Sequence, residues 1–272
     1  MEPYDIYNSI QAVLAILDAD EAPEARAYLN DLIFRDGLTE QSSFSIANDL
    51  LNCDQPEPLP KVLREYIEEL FEVAFENDIA DAMNDLGAQY YDGSRGFEQD
   101  FTKAFHCYQL AAAKGSRQAQ ENLGYCYYYG RNVPVDYEKA FHYFALGAFD
   151  GHLVSLYKIG DMYMNGYYVE KNPVEAFHIY SRCLETMTDQ LAPVAAGPVF
   201  LRVGNAFLYG NGTEENAKSA LVCFQKAEAF LYDMVAGGNI MYKKSLQSAI
   251  DGQAKARAKL METLPEQEWT FD

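Results

Sequence analysis

The tetrapeptide KAFH stands at 103–106 and again at 139–142, and its near copy EAFH at 175–178, so the three are 36 residues apart. A tandem structural unit keeps such equal spacing, whereas side chains gathered on a metal or in a catalytic centre have no reason to. The same register runs wider. An apolar residue adjoins a glycine at Leu86-Gly87, Leu123-Gly124, Ile159-Gly160 and Val203-Gly204, and an aromatic follows three positions later at Tyr90, Tyr127, Tyr163 and Phe207. That spacing puts glycine and aromatic on one helical face. Ala104, Ala140, Ala176 and Ala220 come 16 or 17 residues after each glycine. Large residues follow each alanine at i+1 and i+4: Phe105 and Tyr108, Phe141 and Phe144, Phe177 and Tyr180, Leu221 and Phe224. This is the pattern of a second amphipathic helix.

Glycine inside a helix costs about 1 kcal/mol relative to alanine, so four at one position require a reason, and close approach of the paired helix is the simplest. Gly93, Gly130, Gly166 and Gly210 are placed to end the first helices, while Asp100, Asp136 and Asn172 are placed to cap the second, with Pro173 at the favoured first-turn position. One helical pair cannot bury its apolar face without a neighbour, so the repeated pair predicts an all-α tandem solenoid.

The strings AMNDLGAQYYDG, AQENLGYCYYYG and KAFHCYQLAAAKG resemble the Sel1-like repeat, a relative of the tetratricopeptide repeat, over roughly residues 80 to 235. The resemblance implies a right-handed α-α superhelix that works as a non-catalytic protein-protein interaction scaffold, in a bacterial, cytoplasmic setting. It further implies that the first helices line a concave surface through positions −3, +1, +4 and +5 from the repeat glycine. In this chain those are Asn84, Tyr91 and Asp92; Glu121, Tyr125, Tyr128 and Tyr129; Asp161 and Asn165; Asn205 and Tyr209. Tyrosine with amides and acids suits a groove that holds a peptide backbone, though exposed tyrosines also simply cover helix surface. Some bacterial members pair cysteines at positions where this chain has Ala112 and Ala148, which argues against a disulfide-bridged, periplasmic version. Relatives described as hydrolases of β-lactam compounds supply an enzyme alternative, but no serine-lysine or metal-ligand constellation accompanies it. An acidic inhibitor of a basic toxin or nuclease is a third reading.

The expected organisation is an acidic helical region at 1–58, a repeat array at 59–236 with units near 80–115, 116–151, 152–187 and 197–236, and a capping helix and tail at 237–272. The array opens with LPKVLREYIEELFEVAFEN at 59–77, read as the second helix of a degenerate leading repeat whose first helix starts near Thr39. Residues 3–18 and 22–34 read as two further helices. The segment LETMTDQLAPVAAGP reads as an expanded linker before the fourth unit, whose second helix reaches about Met234. Beyond it, a long polar helix carries Lys243, Lys244, Lys255, Arg257 and Lys259, a basic strip with an acidic partner, including another copy's N-terminal region, as one reading.

The formal charge of −20 argues against nucleic acid and anionic membranes. It is concentrated at the start, where residues 1–80 hold 18 acids and 4 bases. With 49% hydrophobic residues the chain needs no staples, and five cysteines at no metal-ligand spacing read as buried, reduced thiols. MEPYDIYNSIQ lacks the basic and apolar parts of a secretory signal, which supports the cytoplasmic expectation. Equivalent residues on stacked helices lie about 8–10 Å apart, against about 2.0–2.1 Å from a zinc ion to an imidazole nitrogen. His106, His142 and His178 are therefore expected as partly buried repeat positions, and His152 stands apart; no metal, cofactor or catalytic residue is expected.

Overall fold

The computed structural model describes residues 6–17, 22–34, 42–52, 58–187 and 192–262. They form two compact helical units, residues 1–136 and 137–272. The first contains α1 (Ile6–Ile16), α2 (Pro23–Phe34), α3 (Ser42–Asn52), α4 (Lys61–Glu76), α5 (Ala80–Asp92), α6 (Phe101–Ala113) and α7 (Arg117–Tyr129). The second contains α8 (Tyr137–Phe149), α9 (Leu153–Asn165), α10 (Pro173–Glu185), α11 (Ala192–Tyr209), α12 (Ala217–Ala236), a single 3₁₀ turn and α13 (Lys243–Glu262). The described residues are all-α, and consecutive helices pair within each unit.

The repeat glycines are explained by what faces them. A Cβ added at Gly87 would fall 2.7 Å from Tyr108, at Gly160 2.5 Å from Tyr180, and at Gly204 2.8 Å from Phe224. In each case the aromatic four positions after the repeat alanine lies close against the glycine, and Ala104, Ala176 and Ala220 are fully buried. Burying one such ring is worth about 1.5–3 kcal/mol, and the missing side chain is what lets it approach.

Local signals set the helix ends. Gly93, Gly130 and Gly166 end α5, α7 and α9 in the left-handed conformation that L side chains resist. Asp100 accepts from the Thr102 and Lys103 amides, Asn172 from Glu175, and Asn216 from Ser219. Each cap is worth about 1 kcal/mol.

A further contact recurs along the chain and joins one repeat to the next. The loop following a first helix docks on the start of the preceding second helix. Arg131 lies 4.6 Å over the Phe101 ring, and Thr102 donates to Asn132 at 2.9 Å. Tyr167 stacks on Tyr137 at 4.3 Å, and the Tyr168 hydroxyl reaches Glu138 at 3.5 Å. A Cβ at Gly212 would lie 1.9 Å from the Pro173 carbonyl oxygen. One step earlier, the Leu59 amide donates to the Arg95 carbonyl and Arg64 to the Gly96 carbonyl, at the start of α4. Arg95, Asn132, Tyr168 and Gly212 all have positive φ. Asparagine and glycine adopt that conformation readily, while tyrosine and arginine do so under strain that the docking contact offsets.

Three expectations change. APVAAGP is the beginning of α11, with Pro198 inside the helix. Gly197 there faces Leu231 of α12, so the segment packs where proline and glycine suggested a linker. His106, His142 and His178 are exposed, because a residue two after the buried alanine is turned about 200° away from it. Helix α12 runs to Ala236, two residues past the expected end. Helix α4 begins after Pro60 and buries Leu63, Tyr66, Ile67, Leu70, Phe71 and Ala74. Thr39 and Cys53 lie outside the described residues.

Candidate functional site

The positions expected on the first helices divide into two kinds. Asn84, Glu121 and Asp161 are buried; Tyr91, Tyr125 and Tyr128 are half-buried; Asp92, Tyr129, Asn165, Asn205 and Tyr209 are exposed.

In the first unit the tyrosines gather on α7. Tyr125 and Tyr129, one helical turn apart, stack with centroids 6.1 Å apart and planes 5° from parallel. Tyr128 meets Tyr129 edge-on at 4.8 Å, and Tyr129 is 48% exposed. On α5, Tyr91 rests on Phe101 at 5.3 Å, and burial raises its hydroxyl pKa against the pull of nearby Arg131. Burial raises the carboxyl pKa of neighbouring Asp92 above its ordinary range.

Behind these rings lies a polar ladder built on amides. Asn122 of α7 donates to the Asn84 oxygen at 2.9 Å, and Asn84 donates to Asp85 at 3.2 Å. Asn48 of α3, whose amide donates to the Phe44 carbonyl, lies near enough to pull the Asp85 carboxyl down. Burial pushes the Asp85 carboxyl up, against the pull of these amides.

The corresponding joint in the second unit is charged. Arg202 of α11 donates through Nε and Nη2 to the two Asp161 oxygens at 2.5 and 2.6 Å, and through Nη1 to the Pro198 carbonyl. Tyr180 donates to Asp161 at 2.9 Å, Lys158 lies 3.7 Å away, and the guanidinium covers the Tyr157 ring at 4.4 Å. Burial alone would raise the Asp161 carboxyl, but Arg202, Lys158 and Tyr180 together hold it below the ordinary range. Asp161 is thus engaged inside the fold.

The residues at −2 from the repeat glycine, Asp85, Asn122, Lys158 and Arg202, were absent from the sequence-derived set, yet they carry both joints. Their signal was available: all four repeats hold a strongly polar residue there. Near the end of the array, α13 reaches the exposed Tyr209, with Lys255 3.4 Å from its hydroxyl and Lys259 paired to Glu215 at 2.7 Å. Part of the basic strip therefore turns inward.

Among the described residues no group of His, Cys, Asp and Glu is arranged to hold a metal ion, and no helix is long and apolar enough to cross a membrane. Burial pushes the thiols of Cys126 and Cys183 up to about 12 and that of Cys107 up to about 11, which makes them poor nucleophiles.

The family profile of the Sel1 repeat matches residues 80–116, 117–152, 153–182 and 201–229. The chain belongs to the Sel1 repeat proteins. Its fold is similar to that of a Sel1 repeat protein from Oxalobacter formigenes, at 19% identity over 83% of this chain and 85% of that one, with a TM-score of 0.57. It is also similar to c5321, a protective antigen of uropathogenic Escherichia coli strains displaying an SLR fold, at 16% identity and a TM-score of 0.55. That match covers 94% of this Sel1 repeat chain but 56% of the antigen. No curated protein matches the chain. Sel1 repeats generally mediate protein interactions.

Proposed function

We propose that this Sel1 repeat protein is a non-catalytic scaffold whose first helices recognise a peptide or a partner surface. The tyrosine platform of α7 carries the reading: stacked Tyr125 and Tyr129, with Tyr128 against them, offer rigid aromatic area at small entropic cost. Tyr91 and Asp92 flank it from α5. In the second unit the exposed Asn165, Asn205 and Tyr209 are the candidates, with amides able to hold an extended backbone. Asn84, Glu121 and Asp161 support these faces from behind. The charge of −20 favours a basic ligand, and a bacterial cytoplasm is the proposed setting.

The test is affinity capture from native lysate with the intact chain and with a Tyr125→Ala, Tyr128→Ala, Tyr129→Ala variant shown by circular dichroism to be folded. A discrete partner recovered by the first and lost by the second supports the proposal. Equal recovery by both removes the α7 platform from it.

The acidic inhibitor reading draws on a different feature, the glutamates Glu65, Glu68, Glu69, Glu72 and Glu76 along α4. Burial and then its neighbours Glu68, Glu69 and Glu76 raise the Glu72 carboxyl. That reading requires one partner, very tight binding and steep loss of affinity with salt, whereas a scaffold binds several peptides weakly.

A further inference from the structure

Asparagine precedes glycine twice in this chain, at Asn165-Gly166 and at Asn211-Gly212. Asparagine is a thermolabile residue. In this pair its decay has a definite course, attack of the glycine amide nitrogen on the asparagine Cγ with loss of ammonia. Glycine hinders that nitrogen least, because it has no Cβ.

The fold treats the two pairs differently. Asn165 is the last residue of α9; its side-chain nitrogen donates to the Asp161 carbonyl at 2.7 Å, and the Gly166 amide donates to the Met162 carbonyl at 2.9 Å. Electrophile and nucleophile are both held, so attack there requires the last turn of α9 to open. Asn211 lies beyond the end of α11, in the loop that leads to the cap residue Asn216. It is exposed, and among the described residues neither its side-chain amide nor the Gly212 amide makes a hydrogen bond.

This loop also holds contacts that a change at Asn211 would disturb. Gly212 rests on the start of α10, where an added Cβ would meet the Pro173 carbonyl. Glu215 pairs with Lys259 at 2.7 Å, and the Asn216 amide closes the loop on the Phe207 carbonyl at 2.8 Å.

We propose that Asn211-Gly212 is a self-modification site, at which the chain converts Asn211 to isoaspartate and aspartate without an enzyme and so releases the loop from α10. The Gly212 nitrogen bonds to the Asn211 Cγ, its proton leaves with the side-chain nitrogen as ammonia, and a five-membered imide closes. Water then opens the ring. Opening at the Asn211 main-chain carbonyl gives isoaspartate, and opening at the side-chain carbonyl gives aspartate. No oxidant or cofactor is consumed. Isoaspartate adds one carbon to the main chain between residues 211 and 212, which displaces Gly212 from a contact that has no room for a Cβ. Both products also set a new carboxylate near Glu214 and Glu215, and like charges favour the open loop.

Incubating the full chain in warm, mildly alkaline buffer tests this, with digestion and mass spectrometry that distinguishes isoaspartate from aspartate. Peptides spanning 211–212 are expected to gain the mass of the amide-to-acid change many-fold faster than peptides spanning 165–166. In denaturant the two pairs are expected to convert at like rates, because sequence alone then decides. Asn211→Gln, an exposed change whose longer side chain closes its ring slowly, is expected to abolish the conversion with unchanged circular dichroism. Hydrogen exchange of residues 211–216 should quicken in the converted chain and stay slow in Asn211→Gln. Equal conversion of the two pairs in the folded chain overturns the proposal, as does an Asn211 that stays intact there while it converts in denaturant. Unchanged exchange of the loop in the converted chain overturns the release.

Discussion

The two units solve one problem, joining successive first helices through buried polar residues, by different means. Between α5 and α7 the joint is built on amides: Asn122 bonds Asn84, and Asn84 donates to Asp85, whose carboxyl burial pushes up. Between α9 and α11 the joint is ionic, with Arg202 and Lys158 around a single Asp161. The amide ladder repeats along helices of regular register. The ionic joint follows the segment where the register is interrupted, between α10 and α11, and it fixes one helix against another by charge and direction. A bidentate guanidinium–carboxylate pair is more demanding in geometry than an amide pair, which suits a junction that regular spacing does not define.

Breaking the ionic joint should have the largest effect. Arg202→Met strands the buried Asp161 and should lower the stability of the second unit by about 3 kcal/mol, the lower end for a broken buried pair; the Arg202 side chain keeps 23% of its surface in solvent. Denaturant unfolding measures this. Gly160→Ala forces a methyl group into the Tyr180 ring and should cost about 2 kcal/mol by the same assay. Asn122→Ala removes one neutral hydrogen bond and should cost about 1 kcal/mol, in the first unit only. A loss as large as that of Arg202→Met would mean that the two joints do not differ.

The smallest effect is in pH, and its sign separates the units. The Asp85 carboxyl is raised in the folded state, so its ionised form opposes folding at neutral pH and the first unit gains stability as pH falls toward the ordinary value of 3.8. The Asp161 carboxyl is lowered, so its contribution is complete above 3.8 and is lost as pH falls further, through the folded value. Unit-resolved hydrogen exchange between neutral pH and strong acid reads both. Asp85→Asn should flatten the first trend and leave the second.

The repeat was legible because its constraint is local and repeated: a glycine, an aromatic three residues on and an alanine 16 or 17 residues later fix the pairing of two helices. The caps were legible for the same reason. The loop contacts of Phe101 with Arg131 and Tyr137 with Tyr167 were not, because they join residues about thirty positions apart whose identities change from repeat to repeat. Pro198 misled because proline and glycine usually mark breaks, yet here Gly197 gives Leu231 its approach. Among the candidate site residues, the sequence marked the first-helix register but could not separate exposed Tyr129 from buried Asp161. That distinction depends on Arg202, 41 residues away.

The most direct measurement of the proposed function is amide hydrogen exchange of the intact chain with and without its captured partner. Slowed exchange along α5 and α7, around Tyr91 and Tyr125 to Tyr129, is the predicted result. Slowing confined to α4, along its glutamate strip, would contradict it and make the acidic inhibitor the better description.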